Sequence, residues 1–139
     1  MSGKVVVDLN GGIGNQLWGW AAGYALASRL GLDLSLDCRN LHQRKFQLGK
    51  VSSGARVHRS GVLNYLPGVQ TVGRWLEDIL RPRPQVFEEE TFAFDPRFRA
   101  IDGPVRLKGY FQSPKYFEDV QGEIRSRITA PESLARVRQ

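Results

Sequence analysis

The chain has 139 residues, 41% of them hydrophobic and 24% charged, which suits one globular domain with its own core; no apolar run approaches the ~20 residues of a membrane-spanning helix, and the basic-then-apolar order of a signal peptide is missing at the N-terminus. One cysteine, Cys38, excludes an intramolecular disulfide and fits a cytoplasmic location, and two histidines, His42 and His58, without ligand spacing argue against a metal cluster. The net charge of +6 favours anionic partners, but the basic residues are dispersed and not interleaved with aromatics, which argues against nucleic acid.

Residues 4–9 read as a buried strand, because Val5, Val6 and Val7 form a short uninterrupted β-branched run. Residues 10–14, with glycines at 11, 12 and 14, read as a loop. Residues 16–30 read as a helix. Leu17, Trp18, Ala21, Ala22, Ala25, Leu26 and Leu30 are apolar, and Trp20 and Tyr24 cover other faces, so the helix is expected to be buried nearly all round, with Leu17, Ala21, Ala25 and Leu26 inaccessible. Gly31 suits a C-terminal cap, and residues 32–36 give a second strand closed by Asp37. A strand, glycine loop, helix and strand predict a right-handed crossover between parallel strands, hence an α/β fold with a doubly wound sheet.

The middle is less regular. Residues 41–54 are polar and broken, as in a long surface loop, and residues 56–57 suit a short strand. Apolar spacing predicts a helix over 71–80, stopped by the Arg-Pro-Arg-Pro run at 81–84. Residues 86–87 suit a strand. Phe92, Phe94 and Phe98 flank Pro96 in an irregular segment that reads as packing. Residues 105–111 read as a strand. Ser113 and Pro114 are a good N-cap and first helical position, and Phe117, Val120, Ile124 and Ile128 carry that helix to about residue 128, where Thr129, Ala130 and Pro131 break it.

Chemistry concentrates at residues 12–16, between a strand and a helix start. Unpaired backbone N–H groups and the helix dipole favour an anion there, glycines permit close approach, and the Asn15 and Gln16 amides can donate. Two other readings compete. A dinucleotide fingerprint matches at Gly12 and Gly14, with Asp37 where a ribose-binding acid belongs, but fails at Leu17. A tight turn that needs glycine for geometry alone is the plainer alternative. Residues 110–112 end a strand near where α/β folds bind ligands. Tyr110, Gln112 and Lys115 are candidates for the acceptor side, since a ring with an amide nearby suits sugar stacking and hydroxyl hydrogen bonds. Phe111 and Phe117 read as packing, with Tyr116. No general base stands out; Asp8, at a strand end, is one candidate, but a solvated or capping role is the plainer reading.

The run Leu9-Asn10-Gly11-Gly12-Ile13-Gly14-Asn15-Gln16-Leu17, followed by the alanine-rich residues 21–27, resembles the opening of glycosyltransferase family 11, the α-1,2-fucosyltransferases. Downstream, Gly109-Tyr110-Phe111-Gln112-Ser113-Pro114-Lys115-Tyr116-Phe117 is similar to that family's Gly-Tyr-aromatic-Gln-Ser-x-Lys-Tyr-Phe element, and Ile124-Arg125 fits the pair that follows it. The resemblance implies transfer of L-fucose from GDP-fucose to the 2-hydroxyl of a galactoside with inversion, without metal or other cofactor. It also implies a GT-B-like fold of two facing Rossmann-like halves. Residues 1–139 would be the N-terminal half, with the C-terminal donor-binding domain absent. Carried over residue by residue, it implicates Gly12, Gly14, Asn15 and Gln16 beside the donor's phosphates. The expected partners are the sugar nucleotide, a galactose-containing glycan, and the missing domain or a second copy, with peripheral contact at the inner membrane surface left open.

This sequence departs from the family in lacking the His-x-Arg-Arg-x-Asp motif, whose arginine should neutralise the departing pyrophosphate. The expectation is therefore a chain inactive alone: either half of a split enzyme, or a non-catalytic module that binds glycans or a partner.

Overall fold

The structure, a computed structural model, describes residues 3–41, 48, 56–58 and 85–128. The expected helix over 71–80 and the break after 128 lie outside these residues.

The valine run forms β1 (Lys4–Asp8), the central strand of a five-stranded sheet. Around it stand β2 (Asp33–Asp37), β3 (Arg56–His58), β4 (Gln85–Glu88) and β5 (Val105–Lys108), in the order β3-β2-β1-β5-β4. Every pairing is parallel, with Val5 opposite Leu34 on one side and Val105 on the other. The α/β expectation holds, and this strand order is compatible with a Rossmann-like sheet.

Between β1 and β2 runs α1 (Ile13–Leu30), which starts three residues earlier than the apolar pattern suggests and ends at Gly31 in the left-handed conformation, φ 66°. It buries Trp20, Ala21, Ala22, Leu26 and Ala27 against Val5, Val7 and Leu36. Close approach is possible because position 23 is glycine: a Cβ there would lie 2.4 Å from Val7 Cγ2 and 2.9 Å from Leu34 Cδ1. The helix is not buried all round. Leu17 and Ala25 are only half-buried, and Ser28 and Arg29 are exposed, because α1 covers one face of the sheet and turns the other side outward. Arg29, at its C-terminal end, donates to the carbonyls of Phe98 and Ile101 at 3.3 and 3.0 Å.

β4 and β5 are joined by a connection with a short 3-10 turn, Pro96–Ala100, capped by the Asp95 carboxylate. Phe98 from this turn packs with Phe87, Phe111 and Tyr116 in an aromatic cluster. Phe94 lies against Tyr116 at 4.8 Å, but Phe92 is exposed, so the packing expectation holds for two of the three phenylalanines. Leu41 and Leu48 are buried in the core, which corrects the surface reading of the 41–54 stretch at those two positions.

Two boundaries need correction. β5 stops at Lys108, since Gly109 at φ 151° and Phe111 at φ 52° leave the extended conformation. The expected helix from residue 114 is instead two 3-10 turns, Pro114–Tyr116 and Glu118–Val120, followed by α2 (Gln121–Arg127). Ser113 caps the first turn as expected, but Phe117, at φ −136° and ψ 21°, breaks the helix and sets its ring 5.7 Å from that of Trp18. α2 lies beside α1, where the Tyr24 hydroxyl donates to Glu123 at 2.7 Å. Among the described residues no helix is long and apolar enough to cross a membrane.

Candidate functional site

The chain winds from β1 outward to β3, then restarts at β4 and returns to β1 through β5. The chain steps the same way across the sheet in both halves, and β1 and β5 stand as neighbours, so the loops that follow them leave the same C-terminal edge, where parallel sheets bind ligands. The loops that follow these two strands are the two sequence motifs. They meet twice: the Gln112 Nε2 amide donates to Asn15 Oδ1 at 2.8 Å, and the Asn10 amide donates to the Gly109 carbonyl at 3.4 Å.

The first loop is held from below. Gly11 has φ 69°, and a Cβ on it would lie 2.4 Å from Asn15 Nδ2. Gln16 is fully buried, and its Nε2 donates to the Gly11 carbonyl at 3.1 Å. Gln16 thus braces the loop from within, while Gly12, Gly14 and Asn15 form its outer surface. Gly12 is the N-cap of α1 and offers no side-chain cap, and no acidic residue lies in the first turn, so the first N–H groups of the helix keep their capacity for an acceptor from outside. Gly14 is exposed, and a Cβ there would meet nothing within 4 Å. Internal packing does not require glycine at that position.

The second loop is held by a carboxylate. Glu89 accepts the Phe111 N–H at 3.2 Å through one oxygen and the Tyr116 hydroxyl at 2.6 Å through the other. The Tyr116 hydroxyl in turn accepts the Asp95 N–H at 2.9 Å. Burial raises the Tyr116 pKa, and its hydrogen bond to Glu89 raises it further, so the phenol stays protonated. Phe111 is fully buried with its ring against Phe87 and Tyr116, as the packing reading has it. Tyr110, Gln112 and Lys115 are exposed at the same end of the sheet.

A charged group lies under the strand ends. Arg106, in the middle of β5, donates through Nη1 to Asp8 and, at 3.0 Å, to Asp37. Arg39 also grips Asp37, through Nη2 at 2.6 Å, Nε at 3.0 Å and its backbone N–H at 3.0 Å. Burial is the largest influence on Asp8 and raises its pKa, against the opposing charge of Arg106 and with the help of Asp37. Burial would raise Asp37 too, but the hydrogen bonds from Arg39 and Arg106 outweigh it and hold that carboxyl well below the usual range. Asp8 is therefore neither solvated nor a cap, which corrects the sequence reading; enclosed with Arg106, it is poorly placed to take a proton from a substrate. Both Asp37 oxygens are occupied by arginines, which leaves a ribose hydroxyl no free carboxylate and weakens the dinucleotide alternative.

Sequence reasoning missed Arg106, Glu89 and Phe92. A charge between Val105 and Leu107 in a central strand was one usable signal, since a buried charge needs a partner and two strand-ending aspartates were available. Phe92, preceded by Glu88, Glu89, Glu90 and Thr91, was another: such surroundings suit an exposed ring. Among the described residues no group of three or more His, Cys, Asp or Glu could hold a metal ion. No protein-family model matches the chain, and no curated protein or solved structure matches it, so the chemistry of the two loops rests on their own residues and geometry.

Proposed function

We propose that this chain is the N-terminal half of an inverting, GT-B-like fucosyltransferase that takes GDP-fucose as donor and the 2-hydroxyl of a galactoside as acceptor. The observation that carries this reading is the Gln112–Asn15 hydrogen bond, which joins motifs 97 residues apart into one surface at the C-terminal edge of the sheet. Both motifs resemble elements of the same enzyme family, and the parallel pairing of β5 with β1 sets them side by side at the C-terminal edge of the sheet. A helix-start glycine at position 14 with open space above it adds support, since it leaves room for a phosphate oxygen against the backbone.

In the proposed reaction the galactoside 2-hydroxyl oxygen bonds to the anomeric carbon of fucose as the bond from that carbon to the GDP phosphate oxygen breaks, and the hydroxyl proton passes to a base supplied by the second half or by solvent. Negative charge then grows on the pyrophosphate and needs positive charge fixed nearby. The N–H groups at the start of α1 supply part of it. Arg106 supplies little, because Asp8 and Asp37 offset its charge. The remainder falls to a second half bearing the family's arginine, and losing one such group typically costs about 10²–10³ in rate.

The test follows backbone amide shifts of the chain as GDP-fucose is added, then fucose transfer with and without a separately supplied C-terminal half. Shifts at Ile13, Gly14 and Asn15, with turnover only on mixing, are expected. No shift at these amides would overturn the reading, as would rapid transfer by the chain alone. Shifts induced by glycans without turnover in either mixture would assign the chain to glycan binding instead.

A further inference from the structure

Phe92 is 74% exposed and Tyr110 is 41% exposed, and their ring centroids lie 5.9 Å apart with an interplanar angle of 30°. Single exposed aromatics are ordinary on protein surfaces. A pair in ring contact, beyond the C-termini of the adjacent strands β4 and β5, occupies the end of the sheet where ligands bind. The pair also has a fixed footing, since Tyr110 sits between Gly109, at φ 151°, and the buried Phe111, at φ 52°. Two rings in contact, tilted by 30°, leave an exposed apolar shelf with the Tyr110 hydroxyl attached, and the Gln112 amide follows two residues on.

We propose that Phe92 and Tyr110 form a platform for the apolar face of a pyranose, specifically of a β-galactoside. The faces of aromatic rings carry negative charge density, and C–H groups polarised by sugar oxygens settle on them. A galactopyranoside gathers its C3, C4 and C5 hydrogens on one face, whereas a glucopyranoside divides its ring hydrogens between both. Stacking through the galactose face leaves the equatorial 2-hydroxyl at the edge of the sugar ring, open to reaction. The choice of galactoside rests on the function proposed above; the platform rests on the two rings.

The probe is methyl β-galactoside, added to the full chain and followed by saturation transfer from the aromatic protons. Saturation should be strongest at H3, H4 and H5. Phe92→Ala and Tyr110→Leu should each weaken binding by about 3–10-fold, while Tyr110→Phe, which keeps the ring, should not. Methyl β-glucoside should bind several-fold more weakly. Thermal unfolding of each variant separates lost stacking from lost fold. The proposal is overturned by saturation that survives Phe92→Ala, by equal binding of the two sugars, or by no galactoside binding at all. It is equally overturned if GMP alone draws the rings' signals, which would make the shelf a nucleobase site, or if Phe92→Ala changes only the association state, which would make it a protein interface. GDP-fucose shifts at residues 13–15 report on the glycine loop separately, so failure here leaves the proposed function standing or falling by its own test.

Discussion

Gly14→Ala separates stability from ligand binding at a single atom. Gly14 is the second residue of α1, and a Cβ there would meet nothing within 4 Å. Replacing glycine by alanine at a compatible helical position gains ~0.4–1 kcal/mol, mostly by restricting the unfolded chain. For a domain of this size that corresponds to a rise in Tm of about 1–5 °C. The same methyl would stand where a phosphate oxygen must approach the N–H groups of Ile13, Gly14 and Asn15. Loss of one hydrogen bond to a charged oxygen costs about 1.5–3 kcal/mol, or about 10–150-fold in Kd. Thermal unfolding followed by circular dichroism measures the first effect, and a GDP titration followed by amide shifts measures the second. The expected variant is more stable and binds GDP worse. A higher Tm with unchanged GDP affinity would refute the phosphate role and leave Gly14 as an unoptimised helix residue; a lower Tm would show that the space is not open.

Asn15→Ala removes a half-buried acceptor for Gln112 and should cost about 0.5–1.5 kcal/mol of stability, yet weaken GDP binding by about 1.5–3 kcal/mol; unchanged affinity would reduce Asn15 to a contact for Gln112. Gly23→Ala should behave opposite to Gly14→Ala, since its Cβ would lie 2.4 Å from Val7 Cγ2. Urea denaturation should show a loss of about 1–3 kcal/mol from overpacking, and wild-type stability would contradict the close seat of α1 on the sheet. Asp8→Asn and Asp37→Asn should differ in sign near neutral pH. The Asp8 pKa is raised above 3.8 in the fold, so its ionisation lowers stability as pH rises from there through the folded value. The Asp37 pKa is lowered, so it stabilises the fold above pH 3.8 and loses that contribution as pH falls through its folded value. Asp8→Asn should be neutral or stabilising near neutral pH, its benefit fading below pH 3.8, while Asp37→Asn should be destabilising, its cost shrinking in acid. Melting curves across pH check both, and equal effects of like sign would refute the assignment.

The β1–loop–α1–β2 unit was legible because its cues agree: a valine run, glycines at a turn, helical apolar spacing and Gly31 as a cap. Agreement of this kind across levels marks a strongly specified segment. The helix expected from residue 114 failed because spacing cannot see the break at Phe117, whose ring leaves the helical path to meet Trp18. β5 ends early for a similar reason: Tyr110 and Phe111 have strand propensity, but Glu89 captures the Phe111 N–H and turns the chain. The ion group of Asp8, Arg106 and Asp37 joins three strands distant in sequence. No local pattern encodes such a contact; only the parallel pairing brings the three residues together. That the two motifs share a site was likewise an outcome of sheet order, since nothing in residues 9–17 or 109–117 states which strands are neighbours.

The strain at Phe111 separates the residues that hold this site from those that could act in it. A bulky residue at φ 52° costs on the order of 1–3 kcal/mol and persists only where its surroundings fix it. Here the surroundings do so: Phe111 is fully buried against Phe87 and Tyr116, and Glu89 accepts its N–H. A fold that needed only an apolar plug could have used an extended residue at less cost. With Phe111 bent inward, its neighbours Tyr110 and Gln112 are left exposed, and Gln112 bonds to Asn15. The first loop repeats the division, with Gln16 buried to carry the Gly11 carbonyl while Gly14 is open. Each motif thus mixes buried braces with exposed groups, and its spelling in sequence does not distinguish them. The exposed Gly14, Tyr110, Gln112 and Lys115 and the half-buried Gly12 and Asn15 can meet a ligand without the loops first coming apart, so substitutions at the braces should act through stability and substitutions at this outer set through binding.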